Sequence, residues 1–148
     1  MLKIGDKAPV INSIDENGKV ITLEQFKGKK VVLYFYPKDM TPGCTVQSCN
    51  LRDNYQTLLD NGYVVLGCSA DSPERHQKFI TKHDLPFPLI SDENKEVLNA
   101  YGVWGAKKFM GRTYDGIHRT TFVIDENGTI EDIITKVKTK NHTEQIIK

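Results

Sequence analysis

Two cysteines, Cys44 and Cys49, stand in the run Pro37-Lys38-Asp39-Met40-Thr41-Pro42-Gly43-Cys44-Thr45-Val46-Gln47-Ser48-Cys49. The residues before it, Val31-Val32-Leu33-Tyr34-Phe35-Tyr36, are an apolar stretch that predicts a buried strand. Those after it predict a polar, amphipathic helix. A thiol at a strand-to-helix turn lies at the positive end of the helix dipole, which favours the nucleophilic thiolate. Pro42 has no amide hydrogen, and Gly43 lets the backbone approach a ligand closely. This is turn chemistry, a poor setting in which to hide a thiol as a small core residue. The first helical amides have no intrahelical acceptor and can donate to an anion beside the sulfur. The Thr41 hydroxyl can cap the helix, or it can accept from a substrate hydroxyl while donating to the thiolate.

The spacing also carries a prediction. On an intact helix five residues rise about 7.5 Å and rotate by roughly 500°, which sets the two Cα atoms about 8 to 9 Å apart and facing different ways. A disulfide requires Cα atoms within roughly 7 Å. A Cys44–Cys49 bond therefore requires the first turns of the helix to unwind. Cys68 ends the apolar run Tyr63-Val64-Val65-Leu66-Gly67-Cys68-Ser69 and reads as a core residue of low reactivity. Metal binding is a rival use of these thiols. No C-x-x-C pair is present, and His76, His83, His118 and His142 are scattered, as expected of structural or surface residues. The four-residue gap between the cysteines also weakens a thioredoxin-type exchange reading.

The elements that must position the cysteines follow from pattern and punctuation. Ile11 to Thr22 predicts a hairpin turning at Asn17-Gly18, and Thr120 to Ile134 a second one turning at Asp125 to Gly128. Between them, Val31 to Tyr36 is a strand, Cys44 to Asn61 a helix and Tyr63 to Ser69 a strand. A helix from Ser72-Pro73 to His83 follows, capped by Ser72. Leu85 to Ile90 is extended because its two prolines exclude a helix. Asp92 is expected to cap a short helix ending near Tyr101. Gly102 to Gly116 reads as irregular, and Asn141 to Lys148 as a short helix. Alternation of strand and helix, closed by an antiparallel hairpin, predicts an α/β sandwich with a mixed sheet in one domain spanning residues 1–148.

Composition narrows the classes. A chain of 148 residues with a formal net charge of +1 suits one soluble domain and gives no reason to expect nucleic acid as a partner. Lys136 to Lys140 reads as a solvated face. No apolar run approaches the roughly 20 residues that span a bilayer. The N-terminus lacks the apolar core of a signal peptide, so a cytoplasmic location and no membrane association are expected. In a reducing compartment cysteines are more often catalytic, metal-bound or buried than structurally paired.

Pro37-x-x-x-Thr41-x-x-Cys44 resembles the active-site motif of peroxiredoxins, and Thr41-Pro42-Gly43-Cys44-Thr45-x-x-x-Cys49 is similar to their bacterioferritin-comigratory, or peroxiredoxin Q, branch. The likeness runs nearly the whole chain, from Gly5-Asp6-Lys7-Ala8-Pro9 through Leu85-Pro86-Phe87-Pro88 and His118-Arg119-Thr120-Thr121-Phe122 to Asn141-His142. It implies a thioredoxin-like fold, a central mixed sheet flanked by helices with an N-terminal β-hairpin. It implies thiol-dependent reduction of hydrogen peroxide and organic hydroperoxides, with Cys44 as the peroxidatic and Cys49 as the resolving cysteine. Pro37, Thr41 and Arg119 take the remaining site roles. Arg119 comes from the resemblance alone, since nothing in its spacing marks it. Thioredoxin or a similar dithiol would be the electron donor, no metal, haem or flavin cofactor is expected, and a monomer is favoured. Gln47 stands where Glu is also frequent in this branch.

Phe35, Tyr36, Trp104 and Phe109 are candidate pocket walls, against the plainer reading that they are core. Two rival functions need the same cysteines: a general thiol–disulfide oxidoreductase acting on proteins, and a redox sensor without rapid turnover. Neither needs donors for peroxide oxygens, which Thr41 and Arg119 would supply.

Overall fold

The computed structural model describes residues 1–148. In chain order the elements are β1 (Asn12–Ile14), β2 (Val20–Thr22), a 3-10 turn (Leu23–Phe26), β3 (Lys30–Phe35), α1 (Pro42–Asp53), α2 (Tyr55–Asp60), β4 (Tyr63–Ser69), α3 (Pro73–His83), β5 (Leu89–Ser91), α4 (Glu96–Ala100), β6 (Trp104–Phe109), β7 (Arg112–Ile117), β8 (Thr120–Ile124), β9 (Ile130–Ile134), a 3-10 turn (Thr139–Asn141) and α5 (His142–Ile146). Seven strands make one mixed sheet in the order β2-β1-β5-β4-β3-β8-β9. β3, β4 and β5 run parallel, while β8 pairs antiparallel with both β3 and β9. This is the mixed sheet with flanking helices and an N-terminal hairpin that the sequence predicts. No helix is long and apolar enough to cross a membrane.

Strand β3 shows why the sheet has a core on each face. Successive side chains of a strand point to opposite faces. Val31, Leu33 and Phe35 pack in one cluster with Tyr101, Phe122 and Ile124. Val32, Tyr34 and Tyr36 pack in the other with Cys44, Leu51, Phe79 and Phe87. A strand covered on both faces reads as a continuous apolar run, as this one does. The two tyrosines bring hydroxyls into the core, where an unpaired one would cost about 1–3 kcal/mol. Tyr34 pairs with Ser48 Oγ at 2.9 Å, and Tyr36 donates to the Asp39 carboxylate.

Helix α1 turns Cys44, Gln47, Ser48 and Leu51 inward, the i, i+3, i+4, i+7 stripe of one helical face. Its back half is held at two places. Asn50 Oδ1 accepts from Thr143 N and Thr143 Oγ1, each at 2.8 Å, and Asn50 Nδ2 donates to Lys140 O at 2.8 Å. Arg52 Nη1 donates to the His83 carbonyl at 2.7 Å, tying α1 to the end of α3. His142, at the start of α5, is fixed in one tautomer. Gln145 Oε1 accepts from Lys138 N and from His142 Nδ1, so Nδ1 carries the hydrogen and Nε2 accepts from Thr121 Oγ1. Burial holds this imidazole below its ordinary pKa.

Three expectations are corrected. The helix predicted from Cys44 to Asn61 breaks at Asn54, whose φ of −110° and ψ of 14° leave the helical region. The Asn54 side chain donates to the Asn50 carbonyl at 2.8 Å, a local bond that competes with the helical ladder. Asp92 is not the cap residue of α4, because Lys95 holds that position in a left-handed conformation. Asp92 Oδ2 still accepts from Leu98 N at 2.8 Å, so it serves the helix start from one turn upstream. Finally, residues 102 to 116 are not irregular. β6 and β7 form a separate two-stranded ribbon joined by Met110-Gly111, both with positive φ, 51° and 78°. That pair of conformations is the turn that suits a two-residue hairpin. Ser72, by contrast, caps α3 as expected by accepting from Arg75 N at 3.3 Å.

Candidate active site

β3 delivers the chain into the loop Pro37 to Thr41, and α1 begins at Pro42. The first helical bond runs from Thr45 N to Thr41 O at 2.9 Å. Pro42 has no hydrogen to offer, so the Gly43 and Cys44 amides are the donors at this end without an intrahelical acceptor. A methyl group on Gly43 would stand 3.4 Å from Arg119 Nη2, so glycine leaves the face beside the sulfur open to that guanidinium.

The structure brings Arg119 to Cys44 across 75 residues of sequence: Nη2 lies 3.3 Å from Sγ. The same guanidinium donates from Nη1 to Gln47 Oε1 at 2.6 Å. Gln47, one turn after Cys44 and fully buried, thus holds the arginine against the sulfur. Its Nε2 has no partner. The sequence reading did not give Gln47 a role. The signal was its place on the inward stripe three residues after Cys44. Arg119 itself is set by β8. Thr120 pairs with Phe35 in the antiparallel β3–β8 ladder, so the residue before Thr120 lies beside the end of β3, where the loop to Cys44 departs.

Other site expectations fare differently. Cys44 is 1% exposed despite its turn-like flanks, packed in the tyrosine-lined core cluster. The flanks are polar because they must turn the chain, while the side chain itself lies on the helix face that meets the sheet. The Thr41 hydroxyl does not cap α1, because it is turned back to donate to Lys38 O at 2.7 Å, which closes the loop. Pro37 sits half-buried at the exit from β3. Cys49 lies off the inward stripe, half-buried, and both cysteines are free thiols. Its Sγ is 3.9 Å from His83 Nδ1. Cys68 is fully buried in the core, as expected, and that burial pushes its thiol well above its ordinary pKa. Two of the candidate aromatic walls are core instead: Phe35 packs tilted against Tyr101 and edge-on against Phe122 on the opposite face of the sheet, and Tyr36 is fully buried against Phe79. Phe109 is 64% exposed on the β6–β7 ribbon, and Trp104 lies under the Lys95 ammonium.

A buried polar network holds the loop. His76 Nδ1 lies 2.6 Å from Asp39 Oδ2, and His76 Nε2 donates to Ile90 O at 3.0 Å. Asp39 N donates to Asp71 Oδ2 at 2.8 Å, and Arg75 donates both to Asp71 Oδ1 and to Asp39 O. Asp39, Asp71 and His76 are close enough to suggest a metal centre. However, these atoms are already partnered within the protein: Asp39 Oδ1 accepts from the Tyr36 hydroxyl, Asp71 Oδ2 accepts from Asp39 N and Ser69 Oγ, Asp71 Oδ1 accepts from Arg75, and His76 Nδ1 pairs with Asp39 Oδ2, so the trio reads as a loop anchor. A cleft of about 490 Å³ elsewhere is lined by Lys7, Val10, Phe26, Val31 and Asp125 among others, with no cysteine or histidine, so it is not where thiol chemistry occurs.

Comparison with known proteins gives a consistent set of relatives. The AhpC/TSA family profile matches residues 4–133. Peroxiredoxin Bcp of Escherichia coli strain K12 is 50% identical over 146 residues, covering 99% of this chain and 94% of the relative. Peroxiredoxin Bcp of Bacillus subtilis strain 168 is 43% identical over 147 residues, with 99% and 94% coverage. Among solved structures, a cysteine-to-serine mutant of Xylella fastidiosa PrxQ superposes with a TM-score of 0.93 at 29% identity, covering 99% of this chain and 94% of that one. The bacterioferritin comigratory protein of Xanthomonas campestris, solved with trapped intermediates in a study of alkyl peroxide reduction, has a TM-score of 0.88 at 30% identity, with 96% and 95% coverage.

Proposed function

The chain belongs to the AhpC/TSA family, and from that premise we propose that Cys44 is the peroxidatic cysteine of its thiol peroxidase activity, with Cys49 as the resolving one. The chemistry is reduction of a hydroperoxide by a thiol. The observation that carries the assignment is the Arg119 guanidinium at 3.3 Å from Cys44 Sγ, at a helix start with unpaired amides. The Cys44 thiolate attacks one peroxide oxygen and expels water or an alcohol. Charge spreads over sulfur and both oxygens as the O–O bond breaks. Arg119 and the Gly43 and Cys44 amides are donors positioned for that charge. Because the Thr41 hydroxyl spends its hydrogen on Lys38 O, its lone pairs can accept from the O–H of a neutral hydroperoxide. Pro37 shapes the loop that carries Thr41. A sulfur on a residue only 1% exposed suits hydrogen peroxide and small alkyl hydroperoxides.

Cys44 then carries a sulfenic acid, Cys49 condenses with it, and a thioredoxin-type dithiol reduces the resulting disulfide by exchange. A monomer working in the cytoplasm suffices for this cycle. Peroxide consumption by the pure protein with thioredoxin, thioredoxin reductase and NADPH tests the roles. Cys44→Ser should abolish turnover, and Cys49→Ser should form the sulfenic acid yet fail to recycle on thioredoxin. Wild-type turnover no faster than a free thiol would remove the assignment.

Both cysteines lie on one intact helix, so the disulfide requires α1 to open at its start. Amide hydrogen exchange across residues 43–48 should be faster in the disulfide form than in the reduced form. Equal protection in protein proven to hold the Cys44–Cys49 bond would refute the unwinding.

A further inference from the structure

We propose that His83 is a catalytic residue of the resolving step, the base that takes the proton from the Cys49 thiol as Cys49 attacks the Cys44 sulfenic acid. The inference rests on Cys49 being the resolving thiol.

The geometry is specific. Cys49 Sγ and His83 Nδ1 are 3.9 Å apart, within reach of an S–H donor to an imidazole nitrogen. Two contacts fix the imidazole and its backbone. The ring meets Phe79 edge-on at 5.3 Å between centroids, and the His83 carbonyl accepts from Arg52 Nη1 at 2.7 Å. Arg52 is on α1, three residues after Cys49. Together with the Asn50 bonds to the C-terminal segment, it pins the back half of the helix. When α1 opens at its start, Cys44 is therefore the residue that travels, and Cys49 keeps its place beside His83.

The electrostatics suit a base. The charged groups that act on the ring are Lys82, beside it on α3, and Arg52 on α1; Arg52 is itself paired with Asp53, and Asp84 caps α3. Partial burial, then Lys82 and Arg52, hold the imidazole below its ordinary pKa, which favours the neutral ring with a lone pair to accept a proton. An unassisted thiol with a pKa near 8.5 is only about 3% ionised at pH 7.

The step balances. The Cys49 S–H proton passes to His83 Nδ1, and the electron pair left on Cys49 forms the S–S bond to Cys44. The Cys44 S–O bond breaks, and the departing hydroxide takes up one proton and leaves as water. Cys49 sulfur is oxidised, and Cys44 sulfur is reduced from sulfenic acid to disulfide. His83 returns its proton to solvent.

The test is single turnover. Reduced wild type, H83Q and H83F would be mixed with one equivalent of hydrogen peroxide, quenched with a thiol-alkylating reagent, and the sulfenic acid and Cys44–Cys49 disulfide quantified by mass spectrometry over time. Sulfenic acid formation in the same sample reports whether the site is intact. At pH 7 the disulfide step should be at least about tenfold slower in both variants. The deficit should shrink at alkaline pH, where hydroxide can take the thiol proton in place of the missing imidazole. Disulfide formation at the wild-type rate in either variant, or a slowing that is the same at every pH, would overturn the role. Failure of wild type itself to form the Cys44–Cys49 disulfide would overturn the resolving role of Cys49 as well.

Discussion

Replacing Arg119 by Met is expected to lower the second-order rate constant for hydroperoxide reduction by about 100- to 1,000-fold, the usual cost of removing one fixed donor from a developing negative charge. The side chain makes two bonds from one planar group. Nη2 faces Cys44 Sγ and Nη1 faces Gln47 Oε1. A lysine ammonium is a point charge on a flexible stem and cannot make both contacts in that fork geometry. Arg119→Lys should therefore recover only part of the loss. Gln47→Leu, which leaves the guanidinium in place but unheld, should cost less than Arg119→Met. Stopped-flow measurement of the Cys44 oxidation rate at pH 7 separates these cases. An Arg119→Met rate within threefold of wild type would show that the helix-start amides suffice and that the arginine only fills space.

The second large effect is on stability. His76→Leu is expected to destabilise the protein by about 3–5 kcal/mol, read as a shift of the urea unfolding midpoint. The imidazole and the Asp39 carboxylate are both fully buried and 2.6 Å apart. Removing one partner leaves the other buried without its counterpart, whereas the intact pair need not be strongly stabilising relative to an apolar pair. His76→Leu with Asp39→Leu should therefore recover some of the lost stability. The single substitution should also slow Cys44 oxidation. Asp39 is bonded through its backbone N–H and C=O as well as its side chain, and it adjoins Met40, which holds a φ of 69°. A non-glycine residue there costs roughly 1–2 kcal/mol, which the network offsets. Loosening the network frees the loop that leads into Cys44 and the start of α1. A stability change below about 1 kcal/mol would show that the pair contributes little and that the loop is held by Arg75 and Asp71.

Much of this was legible because it is local. The apolar run of β3, the Ser72-Pro73 start of α3 and the Asn-Gly turns each write their conformation into a few adjacent residues. The burial of Cys68 followed from its place in a strand. Three features escaped the same reading. The break at Asn54 depends on a side chain that competes for one helical carbonyl, a contest in which propensity takes no side. The β6–β7 ribbon is mostly exposed on both faces, so the alternation that marks a half-buried strand is missing. Cys44 is buried because the helix face it shares with Gln47, Ser48 and Leu51 docks on the sheet, although its neighbours in sequence are turn residues.

What the sequence determined by itself is the candidate nucleophile and its local frame: a thiol at a strand-to-helix turn, and a second thiol that cannot reach it while the helix is wound. Helix geometry alone decides that, since rise and rotation per residue are properties of the backbone. The surroundings of each thiol were decided by tertiary structure. Arg119 meets Cys44 because β8 runs antiparallel to β3 with Thr120 opposite Phe35. His76 meets Asp39, and His83 meets Cys49, because α3 packs beside the loop and α1. These partners lie 34 to 75 residues from the groups they touch, with His76–Asp39 between at 37. No local pattern encodes such distances. Only the pairing order of the strands, set by which faces must be covered, brings them together.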